Sequence, residues 1–157
     1  MRNYDRIMVN ETGNGRIVVG VDGSEPSKRA LAWAIGQARL TGGSVAAVTS
    51  WHLPVAYGWV PPADIDWEGE AAKALTEAVQ AVAGNEPSVP IETVVVEGNP
   101  AEVLVKASHG AQLLVVGNRG HGGFTGLLLG SVSQQCVHHA HCPVVVIHDE
   151  AAAHGAA

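Results

Sequence analysis

Aromatic residues, cysteine and clustered basic charge are all scarce in this chain, and each shortage excludes something. The 157 residues include one Phe, two Tyr and four Trp, and only two cysteines, Cys136 and Cys142. Two cysteines do not make a disulfide framework, so the expectation is a reducing compartment. Nine Lys and Arg stand against fifteen Asp and Glu, a formal net charge of −6, with no basic run. A nucleic-acid surface needs clustered cations to displace counterions, so nucleic acid is not an expected partner. No apolar stretch approaches the roughly 20 residues that span a bilayer. The first fifteen residues are polar and lack the apolar core of a signal peptide. They read as a flexible lead-in before a domain at 16–148, and the expected location is cytoplasmic. Neither common nucleotide fingerprint is present: there is no Gly-Lys-Ser/Thr, and no G-x-G-x-x-G follows the first apolar run.

What is present is an alternation of two periods. Arg16–Val21 (RIVVGV), Val45–Ser50, Val89–Glu97, Gln112–Val116 and Val144–His148 are short β-branched runs that read as buried strands. Between them lie helical patterns. Ala30, Leu31, Ala34, Ile35 and Ala38 share one face of a helix that Ser24 caps and Gly42-Gly43 ends. Ala71, Leu75, Ala78, Val79 and Val82 mark a helix over 67–83. Asn99-Pro100-Ala101-Glu102 is a helix start, and a last helix runs over 131–140. Five strands alternating with helices predict a single α/β domain with a parallel sheet and right-handed crossovers. The Ala-rich residues 149–157 read as a disordered tail.

Two loops that follow predicted strands carry the chemistry. One is Asp22-Gly23-Ser24 after the first strand. The other runs from Gly117 through Gly120, Gly122, Gly123 and Gly126 to Gly130-Ser131 after the fourth. Glycine lets the backbone turn sharply and approach a ligand, and successive amides form an anion nest. Gly130-Ser131-Val132-Ser133 opens a helix, whose unpaired amides and dipole favour anions. Ser131 and Ser133 add hydroxyls. Arg119 is the one Lys or Arg after Lys106, and it lies inside the loop. The residues alone leave two readings, a phosphate cradle or a flexible turn.

Gly117-x2-Gly120-x9-Gly130-Ser131 resembles the ATP-binding signature of the universal stress proteins, G-x2-G-x9-G-S/T. The resemblance extends over Val18–Ser24, Leu114–Gly117, Gly130–Ser133 and His141–Val146, and so covers about residues 16–148. It implies a Rossmann-like five-stranded parallel sheet in the order 3-2-1-4-5 with helices on both faces. It implies ATP as ligand, with Asp22 near ribose and phosphates and placed to assist Mg²⁺, and the main chain near Ser50 on adenine. Gly117, Arg119, Gly120, Gly122 and Gly123 would wrap the ribose and phosphates, and Gly130, Ser131, Val132 and Ser133 would bind the phosphates. It further implies a homodimer through the strand Val144–His148, and a stress-response regulator that acts by binding rather than turnover. A slow ATPase or phosphotransferase, and a partner-binding module that does not use ATP, are the alternatives.

Two features resist absorption into that picture. Cys136-Val-His138-His139-Ala-His141-Cys142 has metal-ligand composition, but a helix over 136–140 sends Cys136 and His138 to different faces, so no metal is expected. The long segment 51–66, with Trp51, His52, Tyr57 and Trp59 and closed by Trp67, reads either as a flap over adenine or as loop packing.

Overall fold

The computed structural model describes residues 15–54, 58–119 and 129–148. Five strands, β1 (Arg16–Gly20), β2 (Ser44–Trp51), β3 (Ile91–Glu97), β4 (Leu113–Gly117) and β5 (Val144–Ile147), alternate with four helices. The helices are α1 (Glu25–Thr41), α2 (Trp67–Ala83), α3 (Pro100–Ala107) and α4 (Ser131–His139). All strand pairs are parallel and the sheet order is β3-β2-β1-β4-β5, as the resemblance implied. The expected lead-in and tail, and Tyr57, Gly120, His121, Gly122 and Gly123, fall outside the described residues, Gly15 excepted.

Alternate residues of each strand serve two cores, which is why the strands read as unbroken apolar runs. Ile17, Val19, Val45, Ala47 and Val115 pack against Leu31, Ala34 and Ile35 of α1 and Leu75 and Ala78 of α2. Val18, Ala46, Val48, Val94, Val96, Leu114 and Val116 pack against Val103 and Leu104 of α3 and Cys136 of α4. Burial of Cys136 among these aliphatics pushes its thiol up to about 11.

Local chemistry sets the ends of the elements. Ser24 caps α1 by accepting from the Ser27 amide, and Gly42, at φ 71°, ends it in the left-handed conformation that a side chain resists. Asn99 accepts from the amides of Ala101 and Glu102 to cap α3. The sequence extends the first strand to Val21; the strand ends at Gly20, and Val21 keeps only a bond from its N–H to the Val48 carbonyl, 2.9 Å. The third strand starts at Ile91 rather than Val89, because Pro90 has no N–H to give and offers only its carbonyl, to Val45.

Candidate functional site

β1 lies between β2 and β4, so the strand order reverses beside it. In open α/β sheets such a switch point opens a crevice at the carboxyl ends of the strands. The loops after β1 and β4 leave from neighbouring strand ends at that crevice, since Ile17, Val18 and Val19 register with Leu113, Leu114 and Val115.

The turn after β1 is self-bracing. Asp22 Oδ1 accepts from the Ser24 amide at 2.9 Å and from the Ser24 hydroxyl. The Ser27 hydroxyl donates to the Ser24 carbonyl at 2.9 Å and accepts from the Asp22 amide at 3.3 Å. Ser24 is therefore a cap, and one oxygen of Asp22 holds the turn while the residue stands exposed at the rim of the crevice.

Gly117 joins the two halves of the site. A Cβ there would sit 2.7 Å from Pro26 Cβ and 2.8 Å from the Pro26 carbonyl carbon. The bare backbone thus lets the first turn of α1 press on the end of β4. On its other side, the Gly117 carbonyl accepts a 2.6 Å hydrogen bond from Ser133 Oγ in the first turn of α4. Two helix N-termini are fastened to one residue. α4 brings the uncapped amides of Ser131, Val132 and Ser133, whereas at α1 Pro26 has no N–H and the Ser27 amide is taken by Ser24, so α1 contributes mainly the positive end of its dipole.

Asn118 closes the root of the glycine-rich loop. Its amide donates to the Ile147 carbonyl at 2.9 Å, and its carbonyl accepts from the Gly130 amide at 2.6 Å. The residue is 2% exposed. In the spacing Gly117-x2-Gly120, Asn118 fills a variable position that carries little weight in the sequence. Its work is done by its main chain, for which the side-chain pattern carries no signal. Gly130 then stands at the N-cap of α4 in extended conformation (φ −71°, ψ 169°), with no side chain to cap the amides of Ser131, Val132 and Ser133. Ser131 is exposed, Val132 half-buried and Ser133 buried. Both serines were expected as hydroxyl donors; the Ser133 proton is directed to Gly117, so toward a ligand Ser133 has its amide to give. Half-buried Arg119 follows Asn118 at the mouth of the loop.

Ser50 lies at the end of β2 on the same side. Val48 uses its carbonyl toward β1 and Trp51 uses its carbonyl toward Gly98, after β3. Main-chain groups of alternate strand residues face alternate neighbours. The Ser50 amide and carbonyl therefore face the β1 side, past the point where β1 has ended.

The Cys/His run is divided among three environments. Cys136 is fully buried, and His138 and His139 are exposed with ring centroids 6.2 Å apart. His141 stacks on His109, centroids 3.6 Å apart and planes 19° apart. Among the described residues no group of three or more His, Cys, Asp or Glu side chains is arranged to hold a metal ion. Nor, among those residues, is any helix long and apolar enough to cross a membrane.

The universal stress protein family model matches residues 13–148. A universal stress protein of Mycobacterium tuberculosis is 38% identical over 143 residues, which are 90% of this chain and 48% of that protein. The chain thus spans about half the length of the curated relatives it matches. Among solved structures, a universal stress protein in complex with cAMP is 27% identical with a TM-score of 0.61, over 87% of this chain and 98% of that one. The universal stress protein from Archaeoglobus fulgidus in complex with dAMP is 25% identical with a TM-score of 0.57, over 85% and 97%.

Proposed function

The chain belongs to the universal stress protein family, and from that premise we infer that it binds ATP at the β1/β4 switch point and acts as a nucleotide-dependent regulator of the stress response in the cytoplasm. The observation that carries this reading is the convergence of the α1 and α4 N-termini on Gly117, at the head of the spacing Gly117-x2-Gly120-x9-Gly130-Ser131. Relatives solved with cAMP and dAMP support an adenine nucleotide as the ligand class.

Each residue then has a task. The amides of Ser131, Val132 and Ser133 and the Ser131 hydroxyl hold phosphate oxygens at the start of α4, with the bare Gly130 leaving room for them. Arg119 supplies the cation, and Gly117, Gly120, Gly122 and Gly123 let the backbone follow the ribose and phosphates. Asp22 faces the ribose and phosphates, and a Mg²⁺ ion carried by the nucleotide would sit against its carboxylate. The Ser50 main chain takes the edge of the adenine.

The protein works by holding nucleotide rather than turning it over. Phosphoryl transfer needs a positioned base or water-orienting group beside the phosphates. The acid at the crevice, Asp22, has one oxygen engaged by both the amide and the hydroxyl of Ser24. The active form is a homodimer in which β5, at the sheet edge with its Val144–Ile147 side chains half-buried, pairs with a second copy across Val144–His148. A second copy would supply a length of chain comparable to the remainder of the relatives. Calorimetric titration with ATP tests the reading: micromolar binding with negligible phosphate release is expected. Absence of binding refutes it, and phosphate release that Asp22→Ala abolishes establishes the ATPase instead.

A further inference from the structure

Holding the root of the glycine-rich loop occupies the main chain of Asn118 and leaves its side chain to be explained. The residue is 2% exposed, and its Oδ1 is buried with no hydrogen-bond donor among the described residues. A buried acceptor without a donor destabilises a fold, so native proteins rarely keep one unless something outside the chain satisfies it.

Strand alternation gives the direction of that side chain. In β4, Leu114 and Val116 face α3 and α4, while Val115 faces α1 and α2. Gly117 continues the alternation, since a side chain there would meet Pro26 of α1. Asn118 is the next step, back to the α3 and α4 face. β1 keeps the same phase: a side chain at Gly20 would meet Leu104 of α3, and Val21 is buried against α1. Continuing the register Val19 with Val115 by three places sets Asp22 beside Asn118 across the switch point. The Asn118 carbonyl accepts from the Gly130 amide, so the residue also stands against the start of α4.

The missing partner must be a donor, and an adenine nucleotide has few. Its phosphates and ring nitrogens accept at neutral pH; the 6-amino group and the ribose hydroxyls donate. With the base at Ser50 on β2, the 6-amino group lies on the far side of β1 from β4, two strand spacings of roughly 4.8 Å away. The phosphates lie at α4. The sugar between them passes the ends of β1 and β4, where Asp22 and Asn118 stand. A neutral amide can accept from a hydroxyl there without the repulsion that a second carboxylate would exert on the phosphates.

We infer that Asn118 is a specificity-determining residue of the crevice, its Oδ1 accepting from a hydroxyl of the nucleotide's ribose. The inference rests on the nucleotide reading and sharpens it, because the end of β4 then reads the sugar as well as the phosphates.

The test is calorimetric titration of wild type and Asn118→Leu with ATP, 2′-deoxy-ATP and 3′-deoxy-ATP, each with Mg²⁺ and with EDTA. Leucine has the branched shape of the asparagine side chain and keeps both main-chain bonds. The wild type should bind one of the two deoxy analogues about tenfold or more weakly than ATP. Asn118→Leu should bind ATP and that analogue alike, both at the weaker level, with and without the metal. Its melting temperature should equal or exceed that of the wild type, because no buried acceptor is left without a donor. Wild-type protein that binds all three nucleotides equally overturns the inference, needs no variant, and leaves the nucleotide reading standing. Full discrimination retained in Asn118→Leu overturns it too. So does discrimination that disappears with EDTA, which assigns Oδ1 to a metal-bound water, or a variant that melts well below the wild type, which makes the amide structural. Wild type that binds none of the three overturns the nucleotide reading and this inference together.

Discussion

Ser133 Oγ donates a 2.6 Å hydrogen bond to the carbonyl of Gly117, sixteen residues earlier in the chain. The bond spans the glycine-rich loop and ties the first turn of α4 to the end of β4. Ser133→Ala leaves a part-buried carbonyl without its partner, a loss of about 1–2 kcal/mol. Urea unfolding should show that loss in the midpoint with little change in slope. ATP affinity should fall less than about tenfold, because the Ser133 amide stays in place.

Gly117 and Gly36 should respond oppositely to the same substitution. At Gly117 the added methyl meets the Pro26 backbone at 2.8 Å, so α1 or β4 must shift. Gly117→Ala should cost about 1–3 kcal/mol and reduce ATP affinity by about tenfold or more. At Gly36, inside α1, nothing lies within 4 Å of the added carbon. Gly36→Ala should stabilise by about 0.5–1 kcal/mol through helix propensity alone and leave ATP binding unchanged. Thermal unfolding and calorimetry on the two variants check both halves.

Two helix caps separate stability from function. Asn99→Ala removes the acceptor for the Ala101 and Glu102 amides, and should cost about 1 kcal/mol with no change in nucleotide affinity. Ser24→Ala removes a cap of the same kind and also releases Asp22 Oδ1 from the Ser24 hydroxyl. It should cost a similar amount and also change ATP affinity, read in the same titration.

Cys136 makes the fold sensitive to alkali. Its thiol is raised from 9.0 to about 11 by burial, so between those values the unfolded chain has released a proton that the folded chain retains. Stability must then fall as pH rises through that window, by up to about 1.4 kcal/mol per pH unit, and is unaffected below it. Cys136→Ala should lose this slope relative to wild type in urea unfolding at pH 8, 9.5 and 11. Equal slopes in the two proteins contradict the assignment.

The fold was legible because its signals are local and redundant. Both faces of β1 and β4 are buried, so RIVVGV and QLLVV read as strands whichever way they face. Ser24, Gly42, Asn99 and Pro100 punctuate the helices by their own chemistry. Residue types set neither the exact strand ends nor the site's joints. Proline at position 90 shortens β3 through a missing donor, and Asn118 acts through its main chain. Gly117 was expected to be glycine for a ligand's sake. In the fold it also has to be bare because α1 presses on it, a contact between residues 26 and 117 that no local pattern encodes.

The most direct test of the phosphate cradle at the start of α4 is calorimetric titration of ATP into wild-type protein and the Gly130→Val variant. The backbone at Gly130 (φ −71°, ψ 169°) is open to any residue, so valine adds bulk without backbone strain. Micromolar binding by the wild type, lost in a variant that melts at the wild-type temperature, is the expected result. ATP binding that survives unchanged in Gly130→Val, or is absent from the wild type, contradicts the site.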